Sequence, residues 1–246
     1  MGELSQKNSV VSSPARALAV WPVIHLDGLA AAVASARLVA GLGVAGVFLI
    51  SMDGRDQDVI PAARAAREEC PGLKVGVNLL GSSARSALEA ALRAGLDATW
   101  TDSPGVGGSG PDAGALECAE ILKGCPAHLF FASVAFKYQK AESDPGRAAL
   151  EAALLGMVPT TSGAATGAPP TAEKLMAMRR ALGAGPFAAA SGLDSANVGE
   201  LGASLTHALV STGVSRSFHE FDPARLEAFM RARPRVGWGF EPRAAW

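Results

Sequence analysis

The stretch Phe187-Ala188-Ala189-Ala190-Ser191-Gly192-Leu193-Asp194-Ser195-Ala196-Asn197-Val198 carries the pattern on which the fold turns. A short apolar run ends in Ser-Gly, the backbone turns, and a residue able to cap a helix follows. This spacing predicts a strand over Phe187–Ala190 and a short helix from Asp194 to about Leu205. Glycine allows the backbone to approach an anion closely, and free amides at a helix start face one.

Working outward, the same unit recurs along the chain. Further strands are expected over Leu18–Leu26, Gly46–Ser51, Lys74–Leu80, Ala98–Thr101, Leu129–Phe136, Met157–Thr161 and Ala208–Gly213. Between them lie Ala/Leu-rich segments of helical period: Gly28–Ala40, Ala62–Glu69, Ser83–Ala94, Ala113–Lys123, one from Asp144-Pro145 to before Gly156, and Thr171–Leu182. A last helix opens at Asp222-Pro223 and presents Leu226, Phe229 and Met230. Ser83, Asp144-Pro145, Thr171 and Asp222-Pro223 are start signals, and Gly95 and Gly156 are stops. Strands alternating with helices imply parallel pairing through right-handed crossovers. Eight such units fit a closed (β/α)8 barrel of the TIM type. A six-strand doubly wound sheet would leave two units over, and no GxGxxG follows the first strand.

Composition agrees with one large domain. The chain has 246 residues, 49 % apolar and 18 % charged, enough to build a core and too apolar for a disordered protein. Its 22 Lys and Arg against 23 Asp and Glu give a net charge of -1 and no basic stripe, so no nucleic-acid partner is expected. Cys70, Cys118 and Cys125 form no CxxC and read as reduced thiols. No stretch reaches the ~18 apolar residues of a membrane span, and a cytoplasmic location is expected. Residues 1–16 read as a disordered leader, 17–232 as the barrel, and 233–246 as a tail. Trp238, Phe240 and Trp246 in that tail should cover the barrel bottom or dock on another subunit, so a homo-oligomer is expected.

In this fold the site is built at the strand C-termini. Successive strands hand polar groups to that rim: His25 and Asp27, Asp53, Asn78, Asp102, Lys137, Ser162, Ser191 and Gly192, then Ser215, Arg216 and Ser217. Ser191, Gly192, Ser215 and Arg216 suit a phosphate, because this fold often holds one after strands seven and eight. The hydroxyl- and glycine-rich loop through Ser162, Gly163, Thr166 and Gly167 can bond a ligand or close over it. Lys137 ends an apolar strand and can form a Schiff base, bind an anion or sit on the rim. Alternation places it on the same face as Ser133. Asp27, Asp53 and Asp102 are candidates for a general base or for Mg2+ ligation, and His25 for acid–base work or a structural role. His128, His207 and His219 form no zinc-binding pattern.

The loops Thr161-Ser162-Gly163-Ala164-Ala165-Thr166-Gly167 and Ser191 to Val198 together resemble the paired loops of the BtpA/SgcQ family of phosphate-binding barrels. Val23-Ile24-His25-Leu26 and Gly76-Val77-Asn78-Leu79-Leu80 are similar to that family's first and third strands, and Asp222 to Met230 to its last helix. The resemblance implies the barrel and an association with photosystem assembly or with sugar and nucleoside metabolism. The chain departs from it at Thr101-Asp102-Ser103-Pro104 and over Gly105–Gly110. The strand-seven loop is also similar to phosphoribosylanthranilate isomerase barrels, but that reaction wants a cysteine where this chain has His25. The expected ligand is therefore a phosphorylated sugar- or nucleotide-like small molecule. The expected role is an enzyme of isomerase, lyase or glycosyl-transfer type, or alternatively a non-catalytic assembly protein of the BtpA kind.

Overall fold

A computed structural model describes residues 16–236. Eight parallel strands close into a barrel, each followed by a helix. In chain order these are β1 (Ala19–His25), α1 (Leu29–Ala40), β2 (Gly46–Ile50), α2 (Asp56–Glu69), β3 (Lys74–Asn78), α3 (Ala84–Arg93), β4 (Ala98–Thr101) and α4 (Ala113–Lys123). There follow β5 (Leu129–Ser133), α5 (Pro145–Leu154), β6 (Val158–Thr161), α6 (Ala172–Leu182), β7 (Ala188–Ala190), α7 (Val198–Leu201), β8 (His207–Val210) and α8 (Pro223–Ala232). Pairing of β8 with β1, from His207↔Ala19 to Val210↔Pro22, closes the ring. No described helix is long and apolar enough to cross a membrane.

The expected caps form: Ser83, Asp144, Thr171 and Asp222 each accept a hydrogen bond from an amide in the first turn of the helix they precede, and Asp112, not expected, does the same for α4. Strand β8 ends at Val210, not Gly213, and three further elements differ from expectation. Helix α2 starts at Asp56, not Ala62, and carries Pro61 inside it. Its buried face of Val59, Ala62, Ala63 and Ala66 continues through the proline, and Asp56 and Asp58 suit the first turn. Strand β5 ends at Ser133, not Phe136, because the chain turns at Ala135, which has φ +48. Helix α7 begins at Val198, not Asp194, because the Asp194 carboxylate accepts the amides of Ala196 and Asn197 and closes its own turn.

Alternation along the strands separates two apolar layers. Outward residues such as Val20, Ile24, Val47, Leu49, Val75, Val77 and Phe130 pack under the helices. Inward residues fill the lumen, among them Trp21, Phe48, Trp100 and Phe131, whose rings meet edge-on or tilted at 5.1–5.8 Å. Four large rings fit because their neighbours are small. A Cβ on Gly46 would lie 2.4 Å from the Trp21 ring, and one on Gly76 2.5 Å from Phe48. At the closed end, Arg16–Ala17 pairs antiparallel with Arg235–Val236. The expected aromatic residues Trp238, Phe240 and Trp246, and the leader up to residue 15, lie outside the described residues.

The glycine–aromatic fit predicts that Gly46→Ala destabilises the barrel by about 1–3 kcal/mol, the usual cost of overpacking. The double variant Gly46→Ala/Trp21→Phe should lose less than the two single variants added together, since the smaller ring vacates the clash. Denaturant titration of all four proteins measures this, and strict additivity would contradict it.

Candidate active site at the barrel mouth

Above the aromatic layer the lumen becomes polar. Asn78 closes β3 and is 1 % exposed; its Nδ2 donates to Oδ1 of Asp102 at 3.2 Å, while its own Oδ1 has no partner among the described residues. Ser133, at the end of β5, accepts from the Trp100 indole at 3.0 Å and faces the same layer as Asp102. Burial raises the Asp102 carboxyl above its ordinary range, outweighing the Asn78 amide, the Lys137 charge and the Ser133 hydroxyl. Gln139 fixes the backbone here, donating to the carbonyls of Asp102 and Ser133 at 2.8 and 2.9 Å.

His25 stands at the opposite side of the mouth, stacked on Phe218 with ring centroids 4.1 Å apart. Its Nδ1 lies 3.0 Å from the Phe218 carbonyl. A carbonyl only accepts, so Nδ1 carries the proton and Nε2 keeps its lone pair. Burial holds the imidazole below its ordinary value, opposed by that hydrogen bond and aided by the charges of His219 and Lys137.

Lys137 lies past the turn at Ala135, so strand alternation with Ser133 does not set its direction. Its amide donates to Ser162 Oγ at 2.8 Å, and its Nζ donates to Thr166 Oγ1 at 3.1 Å. The ammonium acts electrostatically on both Asp102 and His25, which places it at the mouth. Lys174, which the sequence reading passed over, holds this arrangement. Its half-buried ammonium donates to the carbonyls of Ala135 and Ser162, tying the β5 loop to the β6 loop. A lysine in the first turn of a helix opposes the dipole. That local misfit was the available signal.

The phosphate-type loops meet backbone to backbone. A Cβ on Gly163 would lie 2.3 Å from the Ala168 carbonyl, and one on Gly192 2.1 Å from the Pro169 nitrogen. Gly213, another residue the reading missed as a site member, comes as close to the Leu193 carbonyl. Ser191 and Gly192 both have positive φ, and Ser191 Oγ accepts the Gly167 amide at 3.1 Å. The Gly192 and Gly213 amides meet no acceptor among the described residues. Ser215 Oγ donates to the Ser211 carbonyl, and Ser217 closes a short turn with Glu220. Arg216 is exposed there, 3.4 Å from Glu220 and 3.5 Å from the Phe221 carbonyl.

Two of the aspartates sit outside this cluster. Asp27 is exposed, and Asp53 accepts from Ser51 at 2.5 Å and pairs with Arg55 at 2.8 Å; the Ser51 hydroxyl chiefly lowers its carboxyl. Among the described residues no three of His, Cys, Asp and Glu group closely enough to hold a metal ion, and Asp27, Asp53 and Asp102 do not gather as one set. The cysteines are free, Cys70 and Cys118 buried and Cys125 half-buried.

No family model matches the chain, and no curated protein matches it. Solved structures do. Phosphoribosylanthranilate isomerase from Thermotoga maritima superposes with a TM-score of 0.63 at 15 % identity, covering 87 % of this chain and 98 % of that one. Thiamine phosphate pyrophosphorylase from Pyrococcus furiosus gives 0.59 at 13 % identity, over 87 % and 95 %. A KDPGal structure gives 0.62 at 14 %, over 87 % and 94 %. These likenesses establish a single-domain TIM barrel.

The Asp102 environment makes a signed prediction. The folded carboxyl is raised above its unfolded value, so the folded state binds more protons in the window between them. Stability is therefore lost as pH rises through that window. Asp102→Asn carries no charge to desolvate, so the variant should be more stable than the parent at pH 8, with the gap closing toward pH 4. Denaturant titrations across that range test it.

Proposed function

We infer that the chain is an enzyme acting on a phosphorylated sugar- or nucleotide-like small molecule, and that it is kin to the BtpA/SgcQ barrels. The observation that carries this reading is the pair of glycine turns after β7 and β8, with amides that meet no acceptor among the described residues, on the same rim as half-buried Asp102 and its partner Asn78. Such amides suit phosphate oxygens. Ser191, Gly192 and Ser215 form the cradle, and Ser162, Gly163, Thr166, Gly167 and Ser217 flank it. Arg216 supplies the guanidinium; its exposed pairing with Glu220 is weak enough to be exchanged for a phosphate. Phosphoribosyl anthranilate isomerase, a barrel of the same fold, has been solved with reduced 1-(o-carboxyphenylamino)-1-deoxyribulose 5-phosphate.

The reacting end of the ligand sits beside Asp102, Lys137 and His25. Burial raises the Asp102 carboxyl and lowers the His25 imidazole, which brings their affinities for a proton closer together, as a proton-exchanging pair requires. The Lys137 ammonium stabilises negative charge developing on a carbonyl oxygen. Proton transfer beside a carbonyl is the step that this trio supports, and it is shared by isomerase and lyase chemistry. Asn78 Oδ1, buried without a donor, receives a substrate hydroxyl or N–H. Asp27 and Asp53 line the outer rim.

Arg216→Ala should weaken binding of ribose 5-phosphate by about 1.5–3 kcal/mol, the scale of a lost charged hydrogen bond. Calorimetric titration checks this, and crystals soaked in phosphate should show the anion at the Gly192 amide. An anion bound elsewhere, or unchanged affinity, removes the cradle. Lys137→Met should abolish turnover across a panel of sugar phosphates and nucleotides while leaving the melting temperature nearly unchanged. A parent protein that binds the anion and turns over nothing in the panel returns the assembly reading.

A further inference from the structure

The other end of the barrel carries an apolar surface that the mouth chemistry does not use. Helix α4 packs on α3, and α5 packs on α6, leaving a groove of about 550 Å3 between α4 and α5. Leu116 and Leu154 wall it, 50 % and 66 % exposed. Its lower end is formed by Cys125, Leu129 and Pro186, residues at or just before the starts of β5 and β7. Exposed apolar patches of this kind mark an interaction site.

We propose that this groove is the docking site of the chain's own segment 237–246, with Trp238, Phe240 and Trp246 as its anchors. Three observations point to that occupant. First, Val236 lies at the same end of the barrel, paired with Arg16 just before β1. Second, a path of touching elements leads from it to the groove. The Arg235–Val236 strand packs on the turn Gly202–Ser204, whose Ser204 carbonyl accepts from Arg179 of α6 at 2.8 Å. Beyond α6, Pro186 forms the groove's rim. Crossing the end of α6 spans roughly 20 Å, two interhelical spacings. The ten residues 237–246 reach about 33 Å when extended, so the segment is long enough. Third, the segment Gly-Trp-Gly-Phe-Glu-Pro-Arg-Ala-Ala-Trp supplies the aromatic side chains that an apolar groove takes, whereas residues 1–15 are polar and Ser-rich. Tethering gives the segment a millimolar effective concentration at the groove, an advantage that a separate chain lacks.

Cys125 reports on occupancy, because it lines the groove while Cys70 and Cys118 are buried. The thiol of Cys125 should react with Ellman's reagent at least ten times faster in a chain ending at Val236 than in the full chain, with Cys125→Ser assigning the signal. An unchanged rate overturns the proposal. Protection in the full chain that fades on dilution overturns it too, since a second copy is then the cover. If the shortened chain loses its native circular dichroism, Trp238→Ala, Phe240→Ala and Trp246→Ala in the full chain replace it. Acceleration by at least one of them supports the docking, and acceleration by none refutes it.

Discussion

The interior volume of an eight-stranded barrel is the constraint on which the other features depend. Strand number sets the lumen, and side chains must fill it without a void. Here Trp21, Phe48, Trp100 and Phe131 fill it, and Gly46, Gly76, Ala98 and Ala188 yield the space the rings need. A lumen plugged by aromatic rings has no room for a ligand in its depth. Polar chemistry is displaced upward, to the layer where Asn78, Asp102 and Ser133 end their strands, and binding is confined to the loops above.

Those loops obey a second constraint of the same kind. Gly163, Gly192 and Gly213 let the backbones after β6, β7 and β8 touch one another. Side chains at these positions would hold the loops apart by an atom's width. Close contact fixes where the Gly192 and Gly213 amides lie before any ligand arrives, and fixed donors lose little entropy on binding. Lys174 performs the corresponding task for the β5 and β6 loops, through two carbonyls instead of a glycine.

The barrel was legible in the sequence because its signal is repeated: each strand, turn and helix obeys the same local rules as its neighbours. Element ends were less legible. The α2 start was hidden because Pro61 reads as a breaker, yet a continuous buried face carries the helix through it. The ends of β5 and β8 were overrun because Val134-Ala135-Phe136 and Ser211-Thr212-Gly213 are apolar or neutral enough to look like strand. Within the mouth, Asn78, Asp102, Lys137 and His25 were found by position alone. Gln139, Lys174 and Gly213 were missed because their contacts are to main chain, and main-chain geometry leaves little mark on residue type.

Polar groups at the two ends of the barrel do different work, and the difference bears on where the chemistry lies. At the closed end His128 bonds Thr99 and the Leu96 carbonyl, His207 bonds Thr206, and Arg179 reaches the carbonyls of Ser204, Gly183 and Gly185. Burial holds both histidines below their ordinary values, His207 at about 4, so they are neutral and serve as packed hydrogen-bonding groups. At the mouth, among the described residues, Asn78 Oδ1 is buried without a donor, and the half-buried Gly192 and Gly213 amides meet no acceptor. An unmet buried carbonyl costs about 1–3 kcal/mol, which a ligand donor recovers on binding. Trp21 Nε1 and Arg67 Nη1 are also buried without hydrogen-bond partners among the described residues, so place at the strand C-termini is what marks the mouth as the site for a polar ligand. The open requirements of the mouth define one: a molecule with an anionic group at the glycine turns and a hydroxyl or N–H at Asn78, holding its reacting atoms beside Asp102.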